Sequence, residues 1–186
     1  MNEILSGAQF AKSLGVRTIV THEGFLPENP YDPHYPVLLV CLRKIAETLK
    51  ADGQDFLFET GQETPVTLLR TIEDIGFDNV GVNLDTANVI LYGKANPVDA
   101  LDVFGKYARG VHCKDGLYPT NGRDLGKEVK IGEGKANLRE VIRKLYHLVY
   151  KGTLTIEREI EGDQQDLDII EARDLLMQYV KEAEES

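Results

Sequence analysis

Strand-like and helix-like segments alternate along the whole chain, and this alternation narrows the possible folds more than any other feature of the sequence. Short β-branched or aromatic runs fall at residues 17–21, 56–58, 80–85, 110–113 and 154–156. Between and around them, apolar residues recur at helical spacing over residues 3–13, 37–51, 66–75, 97–107, 137–150 and 165–185. Gly15 and Gly53 stand where the first two helices should stop, Pro65 and Pro97 stand at helix starts, and Asn137 is placed to cap. The resulting order, α-β-α-β-α-β-α-β-α-β-α, implies parallel strands joined by helical crossovers. A doubly wound sheet and part of a (β/α)-barrel both satisfy it. No Gly-x-Gly-x-x-Gly turn follows the first strand, so a dinucleotide-binding fold has no support.

The strands share a second property. Four apolar runs each end in a potential ligand: Phe-Leu-Phe-Glu59, Gly-Val-Asn-Leu-Asp85, Gly-Val-His112 and Leu-Thr-Ile-Glu157. A fifth, Thr-Ile-Val-Thr-His22, does the same. Parallel strands carry their C-terminal ends to one face, and in (β/α)-barrels that face holds the active site. Taken singly, a carboxylate at a strand end is a solvated turn residue or a helix cap, and a lone histidine is a hydrogen-bonded core residue. Three carboxylates and a histidine brought together repel and lose solvation unless a cation compensates them. A set of three carboxylates and one imidazole, with no thiolate, suits a hard or borderline divalent ion: Mn²⁺ first, with Mg²⁺, Co²⁺ or Zn²⁺ as alternatives. Glu59 and Glu157 then have a second use. Beside a metal-polarised carbonyl, one carboxylate takes a proton and the other returns it, which is epimerisation or aldose–ketose isomerisation.

Composition excludes several other classes. With 21 basic and 31 acidic residues among 186, the formal charge is −10, which counts against a nucleic-acid backbone or an anionic membrane as the main partner. No apolar run approaches the ~18 residues of a membrane span, and the first residues are too polar for a signal peptide, so a cytoplasmic protein is expected. Cys41 and Cys113 fit no metal spacing or disulfide framework and are expected as buried thiols.

The segments FLFETGQE, LDTAN, GVHCKDG, IGEG and LTIERE resemble the sugar phosphate isomerase/epimerase family of xylose-isomerase-like TIM barrels, a superfamily that also holds endonuclease IV (AP endonuclease family 2) and ketose 3-epimerases. The resemblance runs from His22-Glu23-Gly24 to Glu159. It implies Glu59, Asp85, His112 and Glu157 as metal ligands, with Glu59 and Glu157 as the proton-transfer pair. It implies His22, Asn88 and Lys114 as substrate contacts, and a small sugar or sugar phosphate as substrate. Asn88 stands where relatives carry histidine. Gly126-Lys127-Glu128 replaces the Asp-x-His of the endonuclease branch, which weakens the reading as an enzyme of abasic DNA.

A complete barrel takes about 250 residues. The five strands match the fourth to eighth of the family, so the chain is expected as one domain, residues 1–186, a partial (β/α)8 barrel lacking the first three βα units. The strands at residues 17–21 and 154–156 would then be open edges, and a homodimer is expected to cover them. A catalytically silent barrel that works through association is the competing reading. Arg123 and Lys127 are expected as loop charges. Gly132-Glu133-Gly134 is expected to shape the loop before the next helix, and Arg158 with Glu159 to pair at the rim. Glu63 is expected either to approach the site or to cap the helix at Pro65.

Overall fold

The computed structural model describes residues 1–22 and 24–186, so Glu23 of the His22-Glu23-Gly24 segment lies outside the described residues. Its elements are α1 (Asn2–Ser13), β1 (Thr18–Thr21), α2 (Tyr35–Ala51), β2 (Asp55–Glu59), α3 (Pro65–Ile75), β3 (Val80–Asp85), α4 (Asn88–Leu91), α5 (Pro97–Phe104), β4 (Ala108–Cys113), β5 (Asp115–Leu117), β6 (Lys127–Val129), α6 (Leu138–His147), β7 (Leu154–Ile156) and α7 (Asp163–Glu184). The main sheet has the order β1-β2-β3-β4-β7, and every pairing in it is parallel. This is the expected half-barrel.

Alternation along the strands sorts the side chains into two faces. Phe56, Phe58, Val80, Val82, Leu84, Val111 and Cys113 belong to the core that the helices cover. Leu57, Glu59, Asn83, Asp85, Gly110, His112 and Thr155 occupy the opposite, lumen-facing register. One irregularity makes this possible. Val82 pairs with Ala108, but Asn83 pairs with Gly110, so Arg109 is an extra residue in β4. The bulge re-aims the strand, and His112 comes opposite Asp85 on the lumen face. Gly110 is required there, because a Cβ on it would fall 2.3 Å from Asn83 Oδ1.

The helix stop signals act as read. Gly15 and Gly53 follow α1 and α2 with φ of 77° and 70°, and the Thr64 and Asn96 side chains, not singled out in the sequence, cap α3 and α5. Asn137 does precede α6, but with φ 50° and ψ 54° its side chain makes no cap bond. The helix after Pro97 gives way at Gly105–Tyr107 to a 3₁₀ turn, and α6 stops at His147. Two elements were not expected. One is the short α4. The other is the antiparallel hairpin β5–β6, whose polar, glycine-bearing strands carry no alternating pattern. Cys113 is buried, whereas Cys41 is half-buried, because it lies on the flank of α2. Among the described residues, no helix is long and apolar enough to cross a membrane.

Among the described residues, no strand pairs with the outer side of β1 or of β7. Five parallel strands cannot close an eight-stranded barrel, because strand number, tilt and shear are linked. Val20 on β1 is 38% exposed, and Leu154 and Ile156 on β7 form an apolar groove with Leu176, Met177 and Val180 of α7. Self-association through these edges or the lumen face is the expected outcome. Light scattering at micromolar concentration checks it: a mass near 20.8 kDa for a cooperatively folded chain would count against it.

Candidate metal centre

The strand-end residues converge. Glu59 closes β2, Asp85 closes β3, His112 lies near the end of β4, and Glu157 directly follows β7. Each offers one ligand atom, and these four atoms lie within 4.8 Å of one another. The convergence follows from register: Glu59 pairs with Asn83, Asp85 with His112, and His112 with Thr155, two residues before Glu157. Residues paired across parallel strands, and those two apart along one strand, face the same way. His22, just past β1, is half-exposed, with Nε2 3.8 Å from Glu59 Oε2.

The carboxylates differ in their surroundings. Asp85 is fully buried. Its Oδ1 accepts hydrogen bonds from the Ala87 and Asn88 backbone N–H groups, both at 2.8 Å, while its Oδ2 has no hydrogen-bond partner among the described residues. The Asp85 backbone is pinned by Thr60, whose hydroxyl donates to the Asp85 carbonyl and accepts from its N–H, both at 3.0 Å. His112 Nδ1 lies 3.0 Å from Glu59 Oε1 and 3.1 Å from Glu157 Oε2. One N–H can serve only one of them, and the alignment favours Glu59. Glu157 Oε2, though close to the imidazole, is therefore a second buried oxygen with no well-aligned donor among the described residues. Burial pushes Asp85 up to about 7, with the neighbouring Glu157 adding to the shift against Lys114. Glu157 is drawn down to about 2, first by His112 and then by Lys114, against its own desolvation. The two carboxylates, Glu157 foremost, raise His112 to about 10. Two such oxygens inside a cluster of three carboxylates and an imidazole fit a divalent cation of hard or borderline character.

The residues around the cluster are more enclosed than the sequence suggests. Lys114 and Asp115, which read equally well as a surface turn pair, are 2% and 3% exposed. Lys114 Nζ lies 2.9 Å from Glu159, 3.6 Å from Asp85 and 3.9 Å from Glu157. Burial opposes its charge, but these carboxylates outweigh burial and raise its pKa. Asp115 accepts four backbone N–H groups, from Gly116, Gly132, Gly134 and Ala136. It thus fixes the Gly132-Glu133-Gly134 loop in front of α6. Asn88 begins α4 and is 8% exposed. Arg123 is an exposed loop charge, whereas Lys127, also exposed, is not in a loop: it begins β6 and pairs with Leu117 of β5. Arg158 and Glu159 do not pair with each other: Arg158 bonds Glu128 and Asp168, and Glu159 takes Lys114. The roles of Thr60, Thr86 and Glu159 were not read from the sequence. The signal available for the two threonines was a hydroxyl directly after a strand-end carboxylate.

Glu63 neither joins the four ligands nor caps α3, a role Thr64 takes. It is 5% exposed, one of its oxygens has no partner, and burial pushes its pKa up to about 7. A raised folded-state value means that the folded chain holds this proton more tightly than the unfolded chain. The associated stability is present below about pH 4.5 and is lost as pH rises to about 7. Replacement of Glu63 by Gln should therefore stabilise the chain by roughly 2–3 kcal/mol at pH 8 and by almost nothing at pH 4. Urea unfolding of both proteins across this range checks it. A pH-independent difference would count against a buried, proton-holding Glu63.

Comparison with known proteins agrees with this fold. The family model described as xylose isomerase-like TIM barrel matches residues 1–179. Among solved structures, a xylose isomerase domain protein from Planctomyces limnophilus is 34% identical, with a TM-score of 0.90 over 100% of this chain and 66% of that one. A D-tagatose 3-epimerase-like protein is 25% identical, with a TM-score of 0.73 over 96% of this chain and 67% of the other. An uncharacterized protein of Methanocaldococcus jannaschii is 27% identical over 183 residues, 92% of this chain and 59% of the relative. The chain thus spans about three fifths to two thirds of the length of the proteins it matches.

Proposed function

This chain belongs to the xylose isomerase-like TIM barrel family, and from that premise we propose that it carries the metal and proton-transfer centre of a sugar isomerase or epimerase. Glu59, Asp85, His112 and Glu157 are the ligands of one divalent cation, Mn²⁺ first in preference. The observation that carries this reading is the convergence of the four ligand atoms within 4.8 Å, with Asp85 Oδ2 and Glu157 Oε2 buried and lacking well-aligned donors among the described residues. Similarity to a D-tagatose 3-epimerase-like protein supports the reaction class.

The cation, when bound, polarises a substrate carbonyl and acidifies the neighbouring C–H bond. The remaining work falls to this chain's own side chains. Glu59 reaches the site from β2 and Glu157 from the end of β7, with β3 and β4 between them. Two carboxylates so separated can meet a bound sugar from opposite sides. One takes the proton from one face of the carbon, and the other supplies a proton to the opposite face, which inverts that centre. Return of the proton to the adjacent carbon instead interconverts aldose and ketose. His112, in contact with both glutamates, keeps them apart and oriented. His22 and Asn88 border the cluster and are the residues to meet substrate hydroxyls.

Two measurements test the reading. Elemental analysis after dialysis against Mn²⁺ is expected to give one ion per chain, and much less for Glu157→Gln; equal metal content would remove the site. Deuterium uptake from D₂O into a panel of ketoses, followed by NMR with Mn²⁺ present, is expected to fall about 10²- to 10⁴-fold in Glu59→Gln and in Glu157→Gln. Uptake at the parent rate in both variants would refute the proton-transfer assignment.

A further inference from the structure

Lys114 is a buried ammonium in the midst of the acidic cluster, and its position is fixed from both sides. Its backbone N–H donates to Thr86 Oγ1 at 3.1 Å, and the same hydroxyl donates to the Lys114 carbonyl at 2.6 Å. The next residue, Asp115, is held by four backbone N–H groups. The Lys114 side chain has little freedom to leave. Its Nζ lies within hydrogen-bond distance of one carboxylate, Glu159 at 2.9 Å, a residue of the exposed rim. The other two oxygens it faces, Asp85 Oδ2 at 3.6 Å and Glu157 Oε2 at 3.9 Å, lie beyond a normal N–H···O length. These are the same two oxygens that lack a well-aligned hydrogen-bond donor among the described residues. Lys114 therefore offsets their charge without occupying their lone pairs.

We propose that Lys114 is a positioning residue, a built-in counter-ion that keeps the acidic cluster assembled in the metal-free chain and lowers its affinity for a divalent cation, so that the ion is held exchangeably. The inference rests on the metal-site reading above and adds a role for a residue outside the ligand set. The physics has two sides. Without the ammonium, Asp85, fully buried, would face Glu157 with its main positive neighbour gone, and an uncompensated buried charge is strongly destabilising. With the ammonium in place, a divalent ion must enter beside a like charge in a medium where such repulsion is poorly screened. One side chain thus stabilises the empty centre and weakens the filled one. A residue with a merely structural role would do only the first.

The test compares the parent chain with Lys114→Met and Lys114→Arg by Mn²⁺ titration calorimetry and by thermal melts with and without Mn²⁺. Lys114→Met is expected to bind Mn²⁺ at least about tenfold more tightly, to melt lower without metal, and to gain more in Tm from Mn²⁺ than the parent. Lys114→Arg, which keeps the charge, is expected to stay within roughly threefold of the parent affinity. A Lys114→Met chain that folds only when Mn²⁺ is present also supports the proposal. Equal or weaker binding by Lys114→Met overturns it and leaves the metal site standing. A variant that fails to fold even with Mn²⁺ overturns it in favour of a structural role. Absence of Mn²⁺ binding by both the parent and Lys114→Met overturns the metal-site reading and this inference together.

Discussion

Mutual repulsion among three carboxylates at the ends of adjacent strands is the constraint around which the rest of this structure is arranged. Asp85, fully buried, is the extreme case. Desolvation drives it toward its neutral form, and Lys114 and the Asn88 backbone N–H oppose that. Two positive groups adjoin the cluster: His112, between Glu59 and Glu157, and Lys114, beside Asp85, Glu157 and Glu159. Neither uses all the acceptor capacity around it. The cluster is balanced enough to fold and incomplete enough to take a further cation.

That balance needs side chains from four strands to arrive on one face at one height, and backbone devices set the height. The Arg109 bulge brings His112 opposite Asp85. Thr60 and Thr86 tie one strand end to the next: Thr60 holds the Asp85 backbone, and Thr86 holds the Lys114 backbone. Asp115 fixes the loop between β6 and α6 through the N–H groups of Gly132, Gly134 and Ala136, and accepts a fourth from Gly116. Hydroxyls and a carboxylate bonded to backbone are stiffer supports than side chains bonded to each other, because the backbone they hold is already part of the sheet. Loss of one should blur the ligand geometry without removing a ligand.

The parallel sheet, its strand boundaries to within a residue or two, and the four strand-end residues were legible in the sequence, because period, β-branching and terminal polarity are local properties. The hairpin β5–β6 was not. Its strands, Asp115–Leu117 and Lys127–Val129, are three residues each and are joined across a polar loop, too short for any period to register. Nor was the burial of Lys114 legible. A Lys-Asp pair after a strand reads equally well as a surface turn, and only the non-local approach of Asp85, Glu157 and Glu159 encloses it. The partners of Arg158 and Glu159 escaped for a related reason: Glu128 lies in the unexpected hairpin, Lys114 is enclosed only by the fold, and Asp168, ten residues on, is brought back by the turn into α7. Sequence reasoning found the groups that carry charge and missed the groups that neutralise it, since compensation is settled in three dimensions.

The sheet divides the chemistry unevenly. The four clustered residues come from β2, β3, β4 and the end of β7, and β3 and β4 are flanked on both sides by paired strands. Their geometry does not depend on anything beyond the outer sides of β1 and β7. A substrate wall does, because the lumen face between those two edges is open to one side, and an open lumen admits water to any charge that develops there. On the function proposed above, cation binding and turnover would therefore be separable properties of this fold. The first needs only the register of five strands, and the second needs the lumen to be enclosed. Whatever covers the two edges, whether further βα units or another copy of the chain, would act on the reaction by excluding water from the space above Glu59 and Glu157, and would leave the ligand set where β2, β3, β4 and β7 hold it.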